Sequence, residues 1–171
     1  LEQQARAYAT GAGMAVNAYP HQIAFNVLPQ IGGVKKEMPG FTSEEAKLTF
    51  ESRKILGSPE LRIASTCVRV PVFYAHSIAI HAEFSAPMPP EQAREILARA
   101  DGVKVIDDLA AAQYPMPLFI GGGDDVGVGR IRVDPSVENG LALWCCGDNI
   151  RKGAAQNAVQ IAEAMIRRSL I

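Results

Sequence analysis

Across residues 62–85 the chain runs through two successive period-two patterns. Val68, Val70 and Val72 fall on one side of the first, and Ile78, Ile80, Ala82 and Phe84 on one side of the second. Such alternation marks half-buried β-strands, and only Tyr74-Ala75-His76 separates the two runs. A second close pair follows at residues 126–133 and 141–146, joined by a loop containing Pro135 and Asn139-Gly140. Shorter strand signals occur at residues 22–28, where Ile23, Phe25 and Val27 share a side before Pro29, and at 103–106. Strands therefore cluster instead of alternating with helices.

The helices carry their own punctuation. Residues 1–8 read as a helix ended by Thr10-Gly11-Ala12-Gly13. Thr42 followed by Glu45 is a capping box for a helix over 43–56, stopped by Gly57. Pro89-Pro90-Glu91 opens another, which Gly102 closes. Asp148 or Asn149 caps a last helix over 151–170, with Arg167 and Arg168 in its final turn, where the dipole favours cations. The expected class is α+β: a mixed, largely antiparallel sheet flanked by helices.

A net charge of −1 gives no long-range positive field for nucleic acid or an anionic membrane surface. No run approaches the ~20 apolar residues of a membrane span. The cysteines Cys67, Cys145 and Cys146 are odd in number and lack zinc-ligand spacing, so no metal is expected and a reducing, cytoplasmic setting fits. Leu1-Glu2-Gln3-Gln4 has neither an initiator Met nor an N-cap and reads as the interior of a helix, so a fragment is expected.

Three constellations could carry chemistry. Arg69 lies in a strand pattern with His76 beyond its end: an arginine grips a carboxylate with two parallel bonds, and a histidine moves protons near neutral pH. A surface Arg and a satisfied loop His would read the same. Glu44, Lys47 and Glu51 share one helix face and could receive both ends of a zwitterionic phosphorylated substrate, or form a solvated stripe. Arg151 and Lys152 stand in the first turn of a helix, where the dipole disfavours cations, beside the small residues Gly153, Ala154 and Ala155. An anionic cofactor, a tight domain contact or a loose turn would each account for that. Gly121-Gly122-Gly123 reads as a flexible turn, because a phosphate loop needs a helix after it. The cysteines lie in apolar strand patterns, and His21 and His81 have no partner pattern.

The stretches Pro20 to Ile31, Ser43-Glu44-Glu45-Ala46-Lys47, Thr66 to His76, Val128-Gly129-Arg130-Ile131-Arg132 and Trp144 to Glu163 together resemble the aspartate-semialdehyde dehydrogenase family. The likeness runs nearly end to end, over the half that binds substrate and forms the dimer. It implies a glyceraldehyde-3-phosphate-dehydrogenase-like C-terminal domain over residues 1–171, without the NADP-binding half. Residues 149–171 would form a helix returning to that half. The implied parent enzyme interconverts aspartyl 4-phosphate and aspartate semialdehyde, with phosphate as the third small molecule. It works through a cysteine thioacyl enzyme that hydride from NADP reduces. By motif, His76 matches the general acid/base, Arg69 the residue holding the α-carboxylate, Glu44 the acid receiving the amino group, Lys47 the cation near phosphate, and Asn149 an asparagine near the nicotinamide. The nucleophilic cysteine and the glycine-rich dinucleotide motif cannot be placed on this chain, so the chain alone is expected to be inactive. Two other readings are an N-acetyl-glutamyl-phosphate reductase, for which Glu44 would have no free amine to meet, and a non-catalytic assembly module.

Overall fold

A computed structural model describes residues 1–171, which divide into two compact units, Leu1–Phe73 and Tyr74–Ile171. The first unit contains α1 (Glu2–Ala9) and α2 (Ser43–Ile55). The capping box is formed as the sequence predicts: Glu45 N donates to Thr42 Oγ1, and Thr42 N donates to Glu45 Oε2 at 2.8 Å. Gly57 beyond the end takes φ +61°, the left-handed stop that glycine adopts without steric cost.

The two strands expected in this unit do not form ladders. At residues 22–28 the N–H groups of Ile23 and Ala24 donate to the side-chain oxygen of buried Gln4, at 3.1 and 3.0 Å, instead of to a strand. Phe25 then reverses the chain at φ +59°, which throws Phe25 and Val27 out to solvent while Ile23 is buried. Residues 62–72 keep the predicted alternation, with even-numbered Val68, Val70 and Val72 exposed, but their one sheet-like pairing is the isolated bridge Leu28↔Arg69.

The second unit is built on a four-stranded sheet of β1 (His76–Glu83), β2 (Val103–Val105), β3 (Val126–Val133) and β4 (Gly140–Gly147), ordered β1-β4-β3-β2. Only β2 and β3 are parallel, so the sheet is mixed and largely antiparallel, as expected. Helix α3 (Pro90–Ala98), with proline in its first turn, lays Ala93 and Leu97 on Val128, Ile131 and Leu141 to form the core. Across the opposite face Gly127 and Gly129 let Pro115 and the Ile106 carbonyl come into contact with β3; a Cβ at Gly129 would strike that carbonyl. A short helix, α4 (Pro117–Ile120), gave no sequence signal, since four residues are too few for a helical period to show.

The register of β3 against β4 slips between Gly129 and Arg132, where Arg130 takes φ +56°. The bulge is held from outside the sheet: the Asp107 carboxylate accepts from Arg130 N, Ile131 N and Arg94 Nε. The final helix starts later than predicted. Residues Arg151–Ala155 form a π-turn, and α5 (Gln156–Arg167) follows with no buried residue. No helix is long and apolar enough to cross a membrane.

Candidate functional site

In the first unit, Glu44 and Lys47 stand one turn apart on α2, with Lys47 Nζ 3.3 Å from Glu44 Oε1 and both side chains about half exposed. An exposed pair of this kind adds only about 0–1 kcal/mol to stability, so either charge is free to exchange its partner for a ligand group. The same first turn is joined to the extended stretch carrying Arg69. Glu45 Oε1 accepts from Cys67 N at 2.9 Å, two residues before Arg69. Hydrogen bonds from the Thr42 and Cys67 main chains hold the Glu45 carboxyl below its usual range. The Cys67 thiol is pushed up, first by burial and then by the charges of Glu45 and Glu44. The acids of α2 and the Cys67–Arg69 stretch therefore belong to one neighbourhood.

Arg69 is fixed at both levels. Its main-chain N–H and C=O exchange bonds of 2.9 and 3.0 Å with Leu28, and its guanidinium carbon sits 4.9 Å from the centre of the Tyr19 ring. No acid pairs with it, which leaves its fork of donors available to a carboxylate.

In the second unit, His76 opens β1 directly after Ala75, whose φ of +70° turns the chain into the strand. Its register partner is Gly147, the last residue of β4, and Asp148-Asn149 follow at once. His76 and Asn149 thus share one end of the sheet. Neither Asp148 nor Asn149 is the N-cap, which is Ile150, but the Asp148 carboxylate accepts from Ile150 N at 2.9 Å, Arg151 N at 3.0 Å and Gly122 N at 2.7 Å. Those bonds, led by that from Gly122, lower its pKa. The triple-glycine turn, with Gly122 at φ +82°, is pinned to this end of the sheet instead of hanging free. Asn149 is exposed and makes no hydrogen bond within the chain. The two cations that looked misplaced both have partners: Arg151 Nε meets Asp124 at 2.6 Å, and Lys152 Nζ donates to Gln160 at 2.6 Å.

Of the residues singled out, the fold groups Glu44 and Lys47 with the stretch bearing Arg69 in the first unit, and His76 with Asn149 in the second. The sequence did not reveal Tyr19, which has no charge or spacing to announce it. Nor did it reveal that His81 has a partner: its Nδ1 lies 2.6 Å from Asp134 Oδ2, 53 positions away. Neither Cys67 nor Cys145 is an activated thiol. Burial pushes Cys145 to about 11, Cys67 is also raised, and Cys146 is buried.

Residues 1–152 match the family model described as semialdehyde dehydrogenase, dimerisation domain. An aspartate-semialdehyde dehydrogenase from Aquifex aeolicus is 48% identical over 172 aligned positions, covering 100% of this chain and 50% of that protein. Aspartate semialdehyde dehydrogenase II from Vibrio cholerae, solved as a complex with ASA, superposes with a TM-score of 0.88 at 42% identity, over 97% of this chain and 48% of that one. The enzyme from Candida albicans solved with NADP shares the fold at a TM-score of 0.69 and 24% identity, over 87% of this chain and 46% of its own. The chain thus spans about half the length of the relatives it matches. By sequence and by fold, it belongs to the semialdehyde dehydrogenase dimerisation-domain family.

Proposed function

We propose that this chain is the substrate-binding and dimer-forming half of an NADP-dependent aspartate-semialdehyde dehydrogenase. The observation that carries the reading is the charge set of the first unit: an exposed Glu44–Lys47 pair and an arginine with no acid partner. A substrate with an amino group, an α-carboxylate and a phosphorylated side chain needs one acid and two cations, and this set provides them. Glu44 receives the ammonium, Arg69 clamps the carboxylate and Lys47 faces the phosphate. His76, at the mouth of β1 with an imidazole that makes no hydrogen bond inside the chain, exchanges the proton with the thiol supplied by the dinucleotide-binding half.

NADP, when bound, supplies the hydride, and the residues present fit a contact with one end of it. Asn149 has an uncommitted amide, and Gly153 close by has no atom nearer than 3.9 Å to where a Cβ would stand, leaving room for close approach. The Rossmann half would provide the rest of that site. Helix α5 supports a contact with that half: it buries nothing of its own, and Val159 and Ile166 are exposed one heptad apart. For the homodimer the candidate surface is the β1 end of the sheet, where Ile78 and Ile80 lie opposite Cys145 and Leu143. Ile78 is half exposed there, and α3 packs on β2 and β3.

The test is Arg69→Lys in the full-length enzyme. Lysine keeps the charge but loses the planar fork, and charge-assisted bonds are worth about 1.5–3 kcal/mol each, so kcat/KM is expected to fall by roughly 10²-fold. Near wild-type kinetics would make Arg69 a structural residue and remove the reading. Sedimentation that finds only monomer at micromolar concentration would remove the dimer assignment.

A further inference from the structure

We propose that Tyr19 is a positioning residue for Arg69, holding its guanidinium in the place where it receives a carboxylate. The inference rests on the carboxylate-binding role given to Arg69 above.

The main chain of Arg69 is already tied to Leu28 on both sides, so what remains mobile is the long side chain. An arginine in a binding site is usually steadied by an acid, but an acid occupies the N–H groups that a substrate carboxylate would need. The ring of Tyr19 avoids that conflict. Its centre is 4.9 Å from the guanidinium carbon, within the ~6 Å over which a ring face attracts a cation. A ring offers the cation no carboxylate oxygens, so it holds the guanidinium without taking up the pair of N–H bonds that an acid would occupy.

The ring is itself held in place. Pro20 follows Tyr19 and confines its backbone to extended conformations. The chain on either side is tied to one buried side chain: Gln4 Nε2 donates to Ala15 O at 2.8 Å, and Gln4 Oε1 accepts from Ile23 N and Ala24 N. The loop carrying Tyr19 is thereby anchored at both its ends by a single glutamine. The tied main chain and the held ring together restrict where the guanidinium can sit.

The experiment compares Tyr19→Leu, Tyr19→Phe and Arg69→Lys in the full-length enzyme, with separate KM values for aspartate semialdehyde, phosphate and NADP. For Tyr19→Leu, the semialdehyde KM is expected to rise roughly 3–10-fold, the range set by a partly exposed cation–π contact, while the other two move by less than about twofold. Tyr19→Phe keeps the ring face and is expected to restore the wild-type semialdehyde KM. Impaired Arg69→Lys beside an unaffected Tyr19→Leu overturns this inference alone. All three KM values rising together in Tyr19→Leu, or Phe failing like Leu, makes Tyr19 a packing residue and overturns it as well. Wild-type behaviour of Arg69→Lys overturns the carboxylate role and this inference with it.

Discussion

Replacing Asp107 with alanine should unfasten the β3 bulge. The carboxylate is only 6% exposed and accepts from Arg130 N at 2.5 Å, Ile131 N at 3.2 Å and Arg94 Nε at 2.7 Å. With the acceptor gone, two main-chain N–H groups lose their partner inside the sheet, at about 1–3 kcal/mol each. Arg94 adds little, because it is about one-third exposed and retains its bond to Ile131 O. Relaxation of Arg130 out of its left-handed conformation returns about 1–2 kcal/mol. At the middle of these ranges the net loss for Asp107→Ala is about 2–3 kcal/mol. Trp144, the one tryptophan, lies on neighbouring β4 with its Nε1 bonded to Pro115 O, so its fluorescence reports on this unit. Urea unfolding followed at Trp144 should move its midpoint down by about 1–1.5 M, given a slope of about 2 kcal/mol per molar for a chain of this size. Exposed Asp101→Ala serves as the reference and should leave the midpoint in place. A change below about 0.5 kcal/mol in Asp107→Ala would mean that the bulge holds itself and that the three bonds are incidental.

Other expectations follow from the same geometry. Asp134 is brought from 3.8 to about 2, chiefly by Ser136 and then by His81. Its folded value lies below its unfolded one, so its contribution is complete above about pH 4 and lost as the pH falls through about 2. Asp134→Asn should flatten the acid limb of stability over that window in circular dichroism, and an unaltered limb would contradict the assignment. With Cys145 at about 11 and Cys67 raised, iodoacetamide at neutral pH should label neither thiol readily. For the same reason this chain alone should show no turnover with aspartate semialdehyde, phosphate and NADP; activity abolished by Cys67→Ser would reverse that view. Thr42→Ala removes a helix cap worth about 1 kcal/mol, and hydrogen exchange should speed up at the Glu45 amide, whose acceptor is lost.

Signals that depend on neighbours in sequence were legible before any coordinates. The Thr42–Glu45 capping box, the glycine stop at Gly57, the proline that opens α3 and the alternation of β1, β3 and β4 are each decided within a few residues. Local sterics and hydrogen bonding act at that range, so composition and spacing suffice to read them. The candidate residues Glu44, Lys47, Arg69, His76 and Asn149 came from motif resemblance, and the charge row on α2 was visible from helical spacing alone.

What the sequence left undecided depends on groups far apart in the chain. Residues 22–28 alternate like a strand, yet Gln4 takes their donors, and residues 62–72 alternate without gaining a ladder. Period two states which side chains share a face but not whether a neighbouring backbone exists to pair with. Tyr19 meets Arg69, His81 meets Asp134, and Asp148 binds Gly122 only because tertiary packing brings together residues 26–53 positions apart, or 50 in the case of the ring and the arginine. Asp148 and Asn149 read as equal candidates for the cap, whereas the N-cap is Ile150 and the Asp148 carboxylate gathers Gly122 N, Ile150 N and Arg151 N. Sequence spacing determines which faces and caps are available, whereas three-dimensional packing chooses their partners, because hydrogen bonds and cation–π contacts act over a few ångströms of space whatever their separation along the chain.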